Sequence, residues 1–471
     1  WAPRRVFFRP SAAWPAMDGK RVGVATAVSA ACATMICTSR CFVGGRGGEA
    51  SPLARLRGPA VSTGPQQGSP QSSWLPASVA VVSAFAALRM QRKSAAGRSH
   101  ITRHADGLAD CPYALYGQKD IDIPKERQEL QVPSGPKEIR MPEELKGDIE
   151  AQRKFFSSNL PQIYKDLKTN GAVVFRGFEI SKDKATFGQV GQALELDPCE
   201  DPLHSVAARD AVDKKAGVYE AVNKPSRSKF YIGMHNEMVG DRAPGAAMFV
   251  CFKAAEQGGE FLIADGRKMF KELDEGWLQK VYDSDVVYST AEFPMGFIES
   301  LPEFVQPAVE PLAYGALTQA LKMKVDFKTE LRWEKSDYDG SKILQVRAMP
   351  QYPVIRHHAT GEPCWWGSMH SHAEYLRSER EKVFGEAQET TGASRINKTD
   401  VFYGTSGDKV EVDWLKHLDK VTLDCAIKVK MEPGDMVLLD NYLVMHGRCP
   451  FEGTRLHAVS WFKSPDYTKA A

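Results

Sequence analysis

The sequence contains no Cys-x-x-Cys pair, no apolar run of bilayer length, and only 2 acidic residues up to His104. The first absence argues against a zinc knuckle or a thioredoxin-type redox site. The 9 cysteines are scattered instead: Cys32, Cys37 and Cys41 near the start, then Cys111, Cys199, Cys251, Cys364, Cys425 and Cys449. That pattern fits free thiols in a reducing compartment, with thiol-based redox control left open. The second absence leaves no clear membrane span, which needs roughly twenty apolar residues. The third makes the head basic, with 14 Lys/Arg up to His104, while the remaining 47 Lys/Arg and 57 Asp/Glu give an acidic body. Such a body lacks the basic stripe of a nucleic-acid binder, and no nucleic-acid partner is expected.

What is present divides the 471 residues into three parts. Residues 1–105 read as a targeting leader with two short apolar segments. Met17 is read as its start, and Lys20-Arg21 precede the first segment, Val22–Cys37, in the manner of a signal peptide. A Ser/Pro/Gly/Arg stretch follows, then Trp74–Leu88 with basic residues behind it. This order resembles the bipartite plastid-targeting leaders of algae with secondary plastids, so import into a plastid is expected; a mitochondrial address or a membrane anchor is the alternative. Membrane contact is expected only through this leader, if it is retained. Residues 106–146, rich in Pro, Glu and Lys, read as a linker, and 147–471 as one folded domain. Nothing in the pattern fixes an oligomeric state.

Within that domain, Ile149–Asn170 reads as an amphipathic helix ended by Asn170-Gly171, and Ala172–Phe175 as a buried strand. Ser181 is the expected N-cap of a helix through Leu194. Further helices are expected around Arg267–Tyr282, His372–Glu389 and Val412–Leu418. Strands are expected at Ala247–Phe252, Glu260–Ala264, Met436–Leu439 and Arg455–Phe462, where Arg455, His457, Val459 and Trp461 share one face. Many short strands with Gly/Pro turns and helices to one side predict an α+β, mainly β fold: a jelly-roll barrel with helical decoration behind a mostly unstructured leader.

The candidate chemistry begins with a His-x-acid motif. Four occur: His104-Ala105-Asp106, His235-Asn236-Glu237, His372-Ala373-Glu374 and His417-Leu418-Asp419. The first falls in the leader or its linker. His372 and His417 sit in helical patterns, where residues two apart point about 200° away from each other and cannot share one ion. Only His235 and Glu237 lie on a strand-to-loop segment, where residues i and i+2 share a face. A metal ligand pair and a satisfied core histidine are both open at that point. His446, at the end of an apolar strand, supplies a second imidazole. His457 is the rival, but it would bring Arg455 against the metal, where two positive charges repel. Two histidines and one carboxylate with open coordination positions form the ligand set of non-haem Fe(II) oxygenases. Arg455, one strand further on, suits a carboxylate held nearby, because its planar fork stays charged and binds bidentately; a surface salt bridge is the alternative for it.

Three blocks carry a resemblance to a known family: GAVVFRGF at Gly171–Phe178; the order HNEM, FVCFKAA, GGEFLIADGR within His235–Arg267; and PGDMVLLDNYLVMHGRCPFEGTR at Pro433–Arg455. A fourth, HHATGEPCWW before Gly367, also matches in order. Over about 150–465 the chain resembles the taurine dioxygenase / clavaminate synthase-like superfamily of Fe(II)/2-oxoglutarate-dependent oxygenases. The resemblance implies a double-stranded β-helix with an iron triad of His235, Glu237 and His446. It implies Fe(II), 2-oxoglutarate and O2 as cofactor and cosubstrates, with Arg455 on the distal carboxylate of 2-oxoglutarate. It implies oxidation of a C–H bond in a small polar metabolite, hydroxylation or a related outcome, with release of succinate and CO2. Two departures are visible. Phe261 stands where many members have a threonine that helps hold the cosubstrate, and Val459 where the taurine-processing members carry an extra arginine. Glu237 is retained, unlike in halogenating relatives. A non-catalytic binding or scaffold protein on the same barrel, and a zinc hydrolase using the same three ligands, are the competing readings. Trp365 and Trp366 are candidates for the pocket wall or for core. His357, His358, His370 and His372 are candidates for its mouth, and Arg448 for a gate or supporting group.

Overall fold

The computed structural model describes residues 108–470, apart from 113, 116–118, 204–208, 222, 224–227, 230, 326 and 385–398. The leader, with His104, lies outside the described residues. Within the segment expected as a linker, Ile123–Glu129 is helical, capped by the Asp122 carboxylate, and Lys137–Arg140 is a strand. Fully buried Ile123 anchors the helix, and Ile139 packs against the core.

The helix expected at Ile149–Asn170 is two helices, Ile149–Ser158 and Leu160–Asn170. Pro161 explains the break, since its ring removes an N–H that a continuous helix needs but fits the first turn of a new one. Ser181 does not cap the next helix. That helix is Lys184–Ala193, and Asp183 caps it. The Ser181 hydroxyl instead donates toward Phe178 O and Gly434 O, 2.8 and 2.7 Å away.

Two sheets frame the molecule, giving an α+β fold. The larger has eight strands, in the order Lys137–Arg140, Ala172–Arg176, Met436–Asp440, Ala246–Lys253, Leu456–Phe462, Val218–Glu220 and Ala211–Asp213, with Pro198–Cys199 also paired to Leu456–Phe462. The smaller runs Ile427–Val429, Phe261–Asp265, Val444–Arg448, Ile232–His235. Hydrogen bonding does not pass from one sheet to the other, so the barrel is not closed. Period-2 alternation places one set of side chains between the sheets. Val174, Ala247, Phe249, Val437, Val459 and Trp461 of the larger meet Phe261, Ile263 and Val444 of the smaller. The opposite face of the larger sheet (Val173, Phe175, Met248, Val250, Ala458, Phe462) packs on the helices near residues 149–193. Burying both faces needs near-continuous apolar strands, which Ala246–Phe252 and Met436–Leu439 supply.

Between the two candidate ligand strands the chain makes a long excursion. It includes a separate four-stranded sheet, Thr329–Lys335, Lys342–Ala348, Val286–Pro294, Val401–Tyr403, and the helices Gly266–Glu272, Glu275–Ser284 and Val412–Cys425. Residues 297–322 fall outside the main compact unit and hold most of one helix, Gln306–Lys324. The sequence reading missed this helix, whose interior Pro311 is a helix-breaking signal. Among the described residues no helix is long and apolar enough to cross a membrane. Cys111 and Cys199, far apart in sequence, bring their sulfurs to 2.9 Å in the core.

Gly171 joins helix to sheet at φ +71°, where a Cβ would lie 2.5 Å from Val444 Cγ1. Its N–H caps Leu167 O and its carbonyl accepts from Asp440 N, 2.8 and 2.9 Å away. Gly171→Ala is expected to lower stability by about 2 kcal/mol or more, from left-handed strain plus overpacking. A lower urea midpoint at unchanged slope would register it.

Candidate metal centre

His235 ends the strand Ile232–His235, and His446 lies on Val444–Arg448, directly opposite it in the antiparallel register. Gly447 lets these strands approach closely: a Cβ there would meet Ile232 O at 2.7 Å and Met234 Sδ at 2.8 Å. The imidazole centroids are 4.4 Å apart. Glu237 Oε1 is 3.6 Å from His446 Nε2. One ligand atom from each of His235, Glu237 and His446 lies within 4.8 Å of the others. Among the described residues no other group of three was found with this property.

Glu237 lies just beyond the strand, so the pleat alone does not aim it. Two asparagine amides do. Asn441 Oδ1 accepts from Glu237 N at 2.8 Å, and Asn441 Nδ2 donates to Glu237 O and Pro244 O, each at 2.8 Å. Asn236 points away from the metal side, as expected. Its Nδ2 donates to Asn441 O (2.7 Å) and Val444 O (3.0 Å), and its Oδ1 accepts from Gly367 N (2.8 Å). Behind them, Asp440 anchors the turn before His446. It accepts from Tyr442 N at 2.8 Å, from His357 Nε2 at 3.1 Å and from the Tyr467 hydroxyl. Burial pushes the Asp440 carboxyl up, but the His357 imidazole outweighs this and holds it below its ordinary range.

The donor set fits a divalent metal. Nδ1 of His235 lies 2.7 Å from Gly233 O; donating there, it leaves the Nε2 lone pair for an ion. Burial first, then the His446 imidazole, lowers the His235 pKa to about 4, which keeps the ring neutral at pH 7. Burial pushes the Glu237 carboxyl up, but Arg209 and the two imidazoles outweigh it and hold it well below the usual range. Arg209 reaches Glu237 Oε1 at 3.6 Å, pairs with Asp201 at 2.8 Å and lies 4.4 Å over the Trp461 ring.

A cavity opens beside the three ligands, and Arg209, Phe249, Phe261, Arg448, Arg455 and Val459 help line it. Phe261 lies parallel to His446 at 5.9 Å and Phe249 sits 4.9 Å from it, an apolar wall that lowers the local dielectric. Arg455 is 5% exposed. Its Nη1 donates to Ala221 O at 3.0 Å, while its Nε is buried without a hydrogen-bond partner. Burial first, then Arg448, pushes its pKa down to about 9. A buried guanidinium in that condition is built for an anion.

The other candidates fall elsewhere. Trp365 and Trp366 are core, packing on Trp277 and Tyr442. His357 serves Asp440, and none of His357, His358, His370 and His372 lines the cavity. His417 sits in the helix Val412–Cys425 and accepts from Asp274 N at 2.9 Å. His457 is buried outside the ligand group. Sequence reasoning missed Asn441 and Arg209. The Asp-Asn pair before His446 was the only available signal for the first, and nothing local marked the second.

Residues 134–461 match the family described as Taurine catabolism dioxygenase TauD, TfdA family. This chain belongs to the TauD/TfdA family. It is similar to the dapdiamide synthesis protein DdaC of Enterobacter agglomerans, 24% identical over 307 residues, covering 65% of this chain and 85% of the relative. It is also similar to a clavaminate synthase-like protein of Arabidopsis thaliana, 25% identical over 300 residues, covering 61% and 80%. A solved asparagine oxygenase in complex with Fe(II), 2S,3S-3-hydroxyasparagine and succinate aligns over 69% of this chain and 93% of its own, at 12% identity and a TM-score of 0.38. As a TauD-family member with this ligand set, the chain is a 2-oxoglutarate-dependent non-haem iron dioxygenase acting on a small molecule, with His235, Glu237 and His446 as its iron triad.

Asn441→Ala removes every side-chain bond to the Glu237 backbone while sparing all three ligands. Mn(II) affinity is expected to fall about 10- to 100-fold, the usual cost of losing a supporting contact, measured by titration of the chelator-treated protein. Acid should also weaken that metal-free protein. His235 and His372, both lowered to about 4 chiefly by burial, bind fewer protons folded than unfolded between pH 6.5 and about 4. Stability therefore rises with pH across that window and is lost on acidification, by about 6 kcal/mol in total. Urea melts from pH 7 to 4 check this.

Proposed function

We propose that this dioxygenase oxidises a C–H bond of a small polar metabolite, by hydroxylation or a related outcome, while 2-oxoglutarate is converted to succinate and CO2. The observation that carries the reading is the cavity. It runs from three convergent metal ligands to a buried arginine with an unpartnered Nε, so one ligand can meet the metal at one end and the cation at the other. We read the two-sheet arrangement as the double-stranded β-helix of the resemblance, with the iron at the end where the strands bearing His235 and His446 pair. The basic leader supports import into a plastid.

Iron bound here supplies activation of O2 and oxidative decarboxylation of the keto acid. The residues do the rest. Neutral His235 and ionised Glu237 offer lone pairs without first losing a proton. Arg209 sits beside Glu237 and fixes its charged form. Arg455 orients the cosubstrate through its distal carboxylate, which sets the keto end toward the triad. Phe249 and Phe261 exclude water beside His446. Val459 on the wall leaves no second cation at the position where a sulfonate-binding arginine would stand.

The test is turnover. Purified protein with Fe(II), O2 and 2-oxoglutarate is expected to release succinate, faster when a metabolite screen supplies the substrate. Glu237→Ala should reduce the rate to background. Wild-type protein that binds neither iron nor 2-oxoglutarate tightly would favour the scaffold reading, and turnover without 2-oxoglutarate and with Zn(II) the hydrolase.

A further inference from the structure

Two buried thiols lie behind the metal centre, and the reaction uses neither. Cys111 and Cys199 are 5% and 0% exposed, 88 residues apart in sequence, with their sulfurs 2.9 Å from each other. Cys199 pairs with Trp461 of the larger sheet. Two residues on, Asp201 holds Arg209, which lies over that same Trp461 ring and reaches Glu237. Cys111 belongs to a segment stitched to both ligand loops. In the loop after Glu237, Ala243 N donates to Pro112 O at 3.0 Å, and Asp241 O accepts from Ala114 N at 2.9 Å. In the turn before His446, the Tyr442 hydroxyl accepts from Leu115 N at 2.7 Å. The Cys199 thiol and burial push the Cys111 thiol up, and the Glu237 and Asp201 carboxylates add to this, so the pair stands within the field of the site. Backbone pairing at the junction is thin, however. It consists of the two-residue strand Pro198–Cys199 and an isolated bridge between Ala109 and Cys199.

We propose that Cys111 and Cys199 form a reversible disulfide that locks the Cys111 segment across the metal centre. The oxidant is a small-molecule disulfide of the glutathione class. Cys199 is fully buried, so the first attack falls to Cys111, as thiolate, when its segment lifts. It displaces one small thiol and leaves a mixed disulfide; Cys199 then attacks the Cys111 sulfur and displaces the second. The protein loses two S–H bonds and gains one S–S bond, and the two protons and two electrons leave on the two small thiols. The product suits its surroundings. A disulfide carries no charge, whereas a thiolate beside the Glu237 and Asp201 carboxylates is repelled. The bond adds a covalent tie where hydrogen bonding is sparse, and it joins the Asp201–Arg209 arm to the segment that holds both ligand loops.

The experiment incubates the chelator-treated full chain with oxidised glutathione, alkylates it in denaturant, and maps the digest by mass. A peptide pair joined through Cys111 and Cys199 and released by dithiothreitol is expected; its absence overturns the proposal. Closing so long a loop should raise the thermal unfolding midpoint by about 5 °C over the reduced protein. Release of Mn(II) from the loaded protein to a chelator should slow about tenfold, the lower end of what contacts supporting metal ligands are worth. A mapped link with an unchanged midpoint or an unchanged release rate overturns the lock. Cys111→Ser should abolish both differences between oxidised and reduced protein; their persistence would assign them to other cysteines and refute the lock. Should that variant fail to fold, the mapping, midpoint and release rate of the wild type decide without it. Failure of the reduced protein to bind Mn(II) at all counts against the metal centre, and the mapped link and the midpoint then decide the lock on their own.

Discussion

The site depends on the interlock of two asparagine side chains. Asn441 takes both the N–H and the carbonyl of Glu237, and Asn236 takes the Asn441 and Val444 carbonyls in return. Apart from Val444, at the start of a strand, these backbone groups lie in irregular loops with no strand partner at hand. Buried and unbonded, each would cost about 1–3 kcal/mol. The amides satisfy them and, by the same bonds, tie the loop after His235 to the turn before His446. Position and stability are thus one property here: the contacts that make the loops tolerable in the interior are those that aim the carboxylate between the imidazoles. Gly367, Ser368 and Trp366 extend the network through Asn236 Oδ1, Asn236 O and Asn441 O, so the tie reaches into the long insertion as well.

Around that tie the electrostatics divide the cavity in two. At one end the ligands are held in the protonation states a cation needs, by burial for His235 and by Arg209 for Glu237. At the other, positive charge gathers on Arg448 and Arg455 among phenyl rings. Aromatic walls sharpen both ends, because a low dielectric strengthens every charge left inside. The fold can hold this separation because His446 and Arg448 are fixed on one strand while Arg455 stands just before a strand of the facing sheet, and the core between the sheets is apolar.

Much of the site was legible in the sequence, for reasons that particular residues illustrate. His235 and His446 end or follow apolar strands, and period-2 parity placed them inward. The same parity put Arg455 and Val459 on one face, and both line the cavity. Parity was less informative for Glu237, which lies past the strand and is aimed by Asn441, a partner distant in sequence. Arg209 was illegible because its link to Glu237 is wholly tertiary. Pattern failed for the fold where a local rule competed with another. Pro161 split one apolar periodicity into two helices, Asp183 displaced Ser181 as a cap, and an interior proline, Pro311, hid the helix Gln306–Lys324. The leader and His104 lie outside the described residues.

His235 and His446 bracket the entire insertion, with its own four-stranded sheet and several helices. The two imidazoles can meet only once that long excursion has folded and returned its chain end to the strand beside His235. Closing so long a loop is slow and entropically expensive. A captured iron acts as a clasp across it, and its binding free energy adds to the stability of the closed state and to none of the open ones. Openings of the insertion that part the two imidazoles therefore compete with bound iron, and the metal suppresses them.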